Sequence, residues 1–165
     1  MVDANNTTRD KQTQNYQPRA NACFGCGESN AAGMGLDFER DAAAQRVRGR
    51  FRLPSRYQGG SGMIHGGIIA LVLDEALGKV CGFYDVRAVT AELNVEYLRP
   101  VKVDEEITVE ALLVERKERN LFLEGEIRDT TGRVLARGRG RFVVVDPESY
   151  RRVAGLATPE AAQKA

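Results

Sequence analysis

Residues 68–84, IIALVLDEALGKVCGFY, limit the possible folds more than any other stretch of this chain. They run apolar almost all round for about four helical turns, whereas a helix on a protein surface shows a single apolar stripe. Such a helix has to be covered, and the chain downstream of it can do the covering. Val89, Ala91, Leu93, Val95 and Tyr97 alternate with Thr90, Glu92, Asn94 and Glu96 until Pro100 ends the run; this period of two predicts a strand. Ile107 to Glu118 and Leu121 to Arg128 predict two more, Asp129-Thr130-Thr131-Gly132 a turn, and Val134 to Val145 a fourth strand. Val134, Ala136, Gly138, Gly140, Phe142 and Val144 share one face of that last strand. The connections are short, which favours antiparallel hairpins.

One long helix followed by four strands, with no second long helix, leaves few arrangements. The strands must lay their apolar face on the helix. A curved antiparallel sheet wrapped around one buried helix does this, and that α+β arrangement is the hotdog fold. Upstream, Leu36 and Phe38 are expected to start a short strand that Asp41 to Ala44 turn. Val47, Gly49, Phe51 and Leu53 alternate with Arg48, Arg50 and Arg52 and predict a strand with one wet face. A glycine-rich loop, PSRYQGGSGMIHGG, leads into the helix. The expected organisation is a disordered tail over 1–21, a folded domain over 22–146 and a polar, alanine-rich tail over 147–165.

The 165 residues suit a single domain, and 24 Lys and Arg against 23 Asp and Glu give no basis for nucleic-acid or anionic-membrane binding. No run is long and apolar enough to span a bilayer, and the first twenty residues lack the apolar core of a signal peptide. Three cysteines are too few for a disulfide framework and fit a reducing cytoplasm.

Two features carry chemistry. His65-Gly66-Gly67 opens the helix, where the first N–H groups have no internal partner and stand at the positive end of the dipole. They can polarise a carbonyl, and one such donor is worth a factor of about 10² to 10³ in rate. Asp74 is the second feature. Helical spacing puts Gly67, Ala70, Asp74, Gly78 and Cys81 on one stripe in which only Asp74 is not small. A carboxylate in such a place points to function or to a structural hydrogen bond. Its neighbour Glu75 lies four residues before Lys79 and is expected to form an exposed ion pair with it. Gly66 and Asp74 are eight residues apart, about 12 Å along a helix. One chain cannot bring both to a single substrate. An antiparallel helix across a two-fold axis can, so a site using both is shared between subunits.

The stretch YQGGSGMIHGGIIALVLDEALG resembles the helix signature of the hotdog acyl-coenzyme A thioesterase superfamily, in its phenylacetate-degradation-type branch. CFGCGESNAAGMGL, VTAELNVEYLRPV and the glycine-containing last strand are similar to members of the same branch. The resemblance covers about residues 22 to 146 and implies hydrolysis of an acyl- or aryl-CoA thioester, without metal or cofactor, by a homodimer or dimer of dimers. It implies that Gly66 N–H polarises the thioester carbonyl and that Asp74 of the partner acts as general base or nucleophile. Thr90 matches a position where relatives carry a hydroxyl that orients the water or the carboxylate. Gln58, Gly67, His65 and Asn94 are candidates for substrate binding. Many relatives place an amide six residues before the His, where this chain has Gly59, so Gln58 departs from that pattern by one residue.

His65, the sole histidine, is expected to cap the helix. Cys23 and Cys26 form half of a zinc-knuckle pattern, and Cys81 and His65 lie too far apart along the helix to complete one site together. The expected role of the pair is a tight turn packing two small side chains. Arg99, Lys102, Arg116, Lys117 and Arg119 lie near strand ends, where they can meet coenzyme A phosphates. Two other functions are compatible with the fold: a hotdog dehydratase or hydratase working through a histidine, and a non-catalytic acyl-CoA-binding protein.

Overall fold

The computed structural model describes residues 21–153 and 155. The tail expected over 1–21 lies, except for Asn21, outside the described residues, as does the far end of the C-terminal one. In chain order the elements are β1 (Glu39–Asp41), β2 (Arg46–Arg52), α1 (Gly66–Val80), β3 (Ala88–Tyr97), β4 (Glu106–Lys117), β5 (Asn120–Asp129), β6 (Val134–Val144) and α2 (Pro147–Val153). All six strands pair antiparallel in one sheet, in the order β1-β2-β4-β5-β6-β3, and α1 lies against one face of it. This is the hotdog arrangement expected from the sequence.

Ile69, Val72, Leu73, Ala76, Leu77 and Val80 form the buried stripe of α1. They pack on Val47, Val109, Ala111, Leu121, Leu123, Ile127 and Phe142 of the sheet. Each fully buried Leu or Val there contributes roughly 1.5–3 kcal/mol relative to exposure. The sheet can come this close because glycines line its inner face. A Cβ on Gly138 would lie 3.2 Å from Leu73 Cβ, and one on Gly140 would lie 2.8 Å from the Phe142 ring and 3.1 Å from Leu77. The opposite side of α1 is less covered than its apolar sequence led us to expect. Ile68, Ala70, Leu71, Asp74 and Gly78 are only half-buried in the protomer.

Strand β3 departs from the even alternation that its sequence predicts. Thr90 pairs with Phe142 and Glu92 with Arg141, so Ala91 is an extra residue, a β-bulge. Residues directly opposite one another share a face. Before the bulge, Ala88 and Thr90 therefore face inward with Val144 and Phe142. After it, Leu93, Val95 and Tyr97 do so, opposite Gly140, Gly138 and Ala136. An unbroken period of two would have put Thr90 on the wet side.

Two smaller expectations are corrected. The first strand begins at Glu39, not at Leu36. Leu36 is instead a buried core residue, and Phe38 meets Phe51 edge to face with ring centroids 5.3 Å apart. The tail after residue 146 starts with two turns of helix, because the Asp146 side chain accepts from Ser149 N–H at 2.8 Å and so caps α2. The outer face of the sheet is wet on every central strand. It carries a cross-strand ladder of Arg48, Glu110, Glu126, Arg137 and Glu96, with ion pairs joining the first two and the next two across the strands. Among the described residues, no helix is long and apolar enough to cross a membrane.

Candidate active site

Two separate places on the protomer carry the candidate residues. The first is the N-terminus of α1. His65 is the N-cap, with extended backbone, and its Nδ1 accepts from Gly67 N–H at 2.9 Å. The ring is thereby fixed as the tautomer whose proton sits on Nε2, so it offers a donor to solvent and no free base. Ile68 and Ile69 donate their N–H groups to the His65 carbonyl. Gly66 N–H is the first-turn amide left without an acceptor among the described residues. Tyr97, from the end of β3, donates its hydroxyl to the Gly66 carbonyl at 3.0 Å and holds that peptide in place. Nothing in the sequence pattern singles out Tyr97 for this role. Gln58 lies in the preceding loop, where its Oε1 accepts from Gly62 N–H at 2.9 Å. Gln58 therefore shapes the loop, and its side-chain oxygen is engaged. Next to Gly66 runs an apolar cleft lined by Met63, Ile69, Tyr97, Leu98, Pro100 and Val101. Tyr97 is 54% exposed there, high for an inward-facing aromatic.

The second place is the middle of α1. Asp74 is half-buried on the side away from the core stripe, and Thr90 Oγ1 donates to its Oδ1 at 2.8 Å. The bulge at Ala91 makes this contact possible. Burial pushes the Asp74 carboxyl above the usual aspartate range and the negative charge of Glu75 adds to that, while the Thr90 bond pulls it down. One oxygen is oriented, and the other has no hydrogen-bond partner among the described residues. Asp74 does not line the cleft beside Gly66, so the two places stay apart within one chain.

Of the remaining candidates, only Arg99 lies at either place. Asn94 pairs with Arg139 on the outer face of the sheet, on the far side from α1. Arg99 lines the apolar cleft but gives a hydrogen bond to the Val134 carbonyl at 2.7 Å. Lys102 pairs with Glu105 and Lys117 with Glu115. Arg116, Lys117 and Arg119 cluster at the β4–β5 hairpin, at the end of the sheet that carries Thr90. The expected Glu75–Lys79 ion pair does not form. Glu75 instead accepts from Cys23 Sγ at 3.1 Å, and Lys79 Nζ donates to Cys26 Sγ at 3.0 Å. The two cysteines thus meet polar groups on the helix and are not simply packed as small apolar side chains.

Comparison with known proteins agrees with this fold. Residues 61–136 match the family model described as Thioesterase superfamily. The chain is 29% identical over 119 residues to the acyl-coenzyme A thioesterase THEM4 of Rattus norvegicus, a match covering 70% of this chain and 51% of the relative. It therefore spans about half the length of that relative. Among solved structures, a thioesterase superfamily protein superposes with a TM-score of 0.65 at 33% identity, covering 69% of this chain and 56% of the other. A Streptococcus mutans protein solved bound to acetyl CoA superposes with a TM-score of 0.61 at 17% identity, covering 67% and 88%. At that identity the likeness is one of fold. Sheet order, central helix and matched segment agree: the chain has the hotdog fold, and its residues 61–136 match the thioesterase superfamily.

Proposed function

We propose that this chain hydrolyses acyl-CoA thioesters to the free acid and coenzyme A, in a site shared between two copies. The observation that carries the reading is the Thr90–Asp74 hydrogen bond. It orients a carboxylate on a side of the helix where the core has no use for it. Gly66 N–H, free of any acceptor among the described residues, polarises the thioester carbonyl. Asp74 of a second copy, whose helix runs antiparallel, activates water or attacks the carbonyl carbon itself. The half-buried apolar side of α1 and the β3 edge, which has no further strand partner among the described residues, supply the surface for that copy. The apolar cleft beside Gly66 takes the acyl chain, and the names of the relatives support coenzyme A as the thiol. Three free cysteines fit a reducing compartment such as the cytoplasm.

A hydratase reading needs a histidine base. His65 has its Nδ1 committed to the helix cap and carries its proton on the other nitrogen, which speaks against that role. The test is a panel of acyl- and aryl-CoA substrates assayed by free-thiol release. Turnover is expected on at least one of them. Hydration of an enoyl-CoA without thiol release would overturn the proposal, and so would tight binding without turnover.

A further inference from the structure

The loop before the sheet and the catalytic helix together hold a cluster that the hydrolytic reading does not use. Cys23, Cys26 and Glu75 each present one ligand atom, and the three lie within 4.8 Å of one another. Tetrahedral zinc with two sulfurs and one oxygen sets its ligand atoms about 3.6–3.8 Å apart, so the widest pair needs only a small contraction. The loop is already built to this shape. Gly27 N–H donates to the Cys23 carbonyl at 2.9 Å, Leu36 N–H to the Gly25 carbonyl at 2.9 Å, and the Asn21 side chain to the Cys26 carbonyl at 3.3 Å. Gly25 is required for the fit, since a Cβ there would stand 2.5 Å from Glu75 Oε1.

We infer that Cys23, Cys26 and Glu75 form a binding site for a zinc-class divalent cation, with Lys79 donating to the Cys26 sulfur from outside the coordination shell. Two thiolates and a carboxylate carry three negative charges, and a dication plus the Lys79 ammonium balance them. Three protein ligands leave the fourth tetrahedral position to water. Cys81 takes no part: it is buried in the core, with its thiol pushed up to about 11. Such a site would pin the segment around residues 21–36 to α1 at the residue next to Asp74. It stands independently of the hydrolytic reading, because it is detected without substrate.

The experiment uses the full chain, purified under a phosphine reductant with chelator removed, and titrates it with Co²⁺. The expected result is a thiolate-to-cobalt charge-transfer band in the near ultraviolet with intense visible bands of tetrahedral Co²⁺. It should saturate at one cobalt per chain and be reversed by Zn²⁺. Cys23→Ser and Cys26→Ser should abolish the charge-transfer band, and Cys81→Ser should leave it unchanged. Glu75→Gln and Lys79→Met should each weaken Co²⁺ affinity by at least about tenfold. Zn²⁺ should raise the Tm of the wild type and not of Cys26→Ser, and circular dichroism of each variant confirms that it folds. No charge-transfer band in the wild type would overturn the site. A band that survives Cys26→Ser, or an affinity indifferent to Glu75→Gln in a folded variant, would do the same, leaving the cluster as hydrogen bonds between helix and loop.

Discussion

Thr90 reaches Asp74 only because Ala91 is one residue too many for its strand. The hydroxyl donates at 2.8 Å from β3 to the middle of α1. The bulge directly after Thr90 turns it to the inner face while Leu93 and Val95 keep their places over β6. A β-bulge next to a reactive group is a common way to re-aim one side chain without disturbing the rest of a sheet.

Asp74→Asn keeps the shape and removes the charge. We expect kcat to fall by about 10² to 10⁴, the usual worth of a general base, with thiol release as the readout. Because the native carboxyl is held above its unfolded pKa, folding favours its protonated form. The stability linked to that proton is present at low pH and is lost as pH rises through the raised value. Asp74→Asn should therefore melt slightly higher than wild type at neutral pH, and the difference should vanish in acid. Glu75→Gln serves as the activity control and should keep most of the turnover.

The pH profile offers a test with two opposite signs. A base acts only when deprotonated, so kcat/KM falls as pH drops through the Asp74 pKa. Thr90→Val removes the hydrogen bond that lowers this pKa, and the acid limb should move to higher pH. Glu75→Gln removes a neighbouring negative charge that raises it, and the limb should move to lower pH. If neither variant moves the limb, another group governs it.

Sharing between subunits can be tested by complementation. A Cβ on Gly66 would lie 3.5 Å from the Tyr97 ring, ordinary contact. Gly66→Val therefore crowds Tyr97 and the free amide more than it threatens the core. Gly66→Val and Asp74→Asn homodimers should each be nearly inactive. Mixed dimers, verified with differently tagged chains, should regain up to about half of the wild-type activity per dimer, since one of two sites has both groups intact. Proven exchange with no recovery, in a Gly66→Val protein of normal circular dichroism, would place both groups in one chain's service.

Gly140→Ala probes the close approach of helix and sheet. The added methyl would meet the Phe142 ring at 2.8 Å and Leu77 at 3.1 Å, one of them on each element. We expect a loss of about 1–3 kcal/mol by urea denaturation. Arg139→Ala, one residue away and exposed on the other face, should cost no more than about 1 kcal/mol.

The helix and four strands are legible in the sequence because their periodicities are long and uninterrupted, and Asp74 stands out as the one non-small residue of its stripe. Other features are not legible, each for a physical reason. The bulge at Ala91 leaves no mark, since an alanine fits either a regular or a bulged strand. Leu36 and Phe38 alternate like a strand but serve as separate plugs, because the chain there is held by hydrogen bonds to the Cys23–Gly27 loop. Glu75 and Lys79 have the spacing of an ion pair, yet the loop carrying Cys23 and Cys26 arrives from some fifty residues upstream and engages both. Local spacing carries no information about such a visitor. Tyr97, which steadies Gly66, is in the sequence one apolar position among five.

The glycines under α1 also decide which way the strands line up. On the wet face, sliding β6 by two residues along β5 would set Glu124 against Arg141 and Glu126 against Arg139, pairings as favourable as the native ones. The charges therefore do not distinguish the native alignment from that shifted one. On the inner face the same slide carries the Phe142 ring into the place of Gly140, directly under Leu77. Choice of alignment in this sheet rests on two positions with no side chain at all, and a chain that lost them would be free to assemble in more than one way.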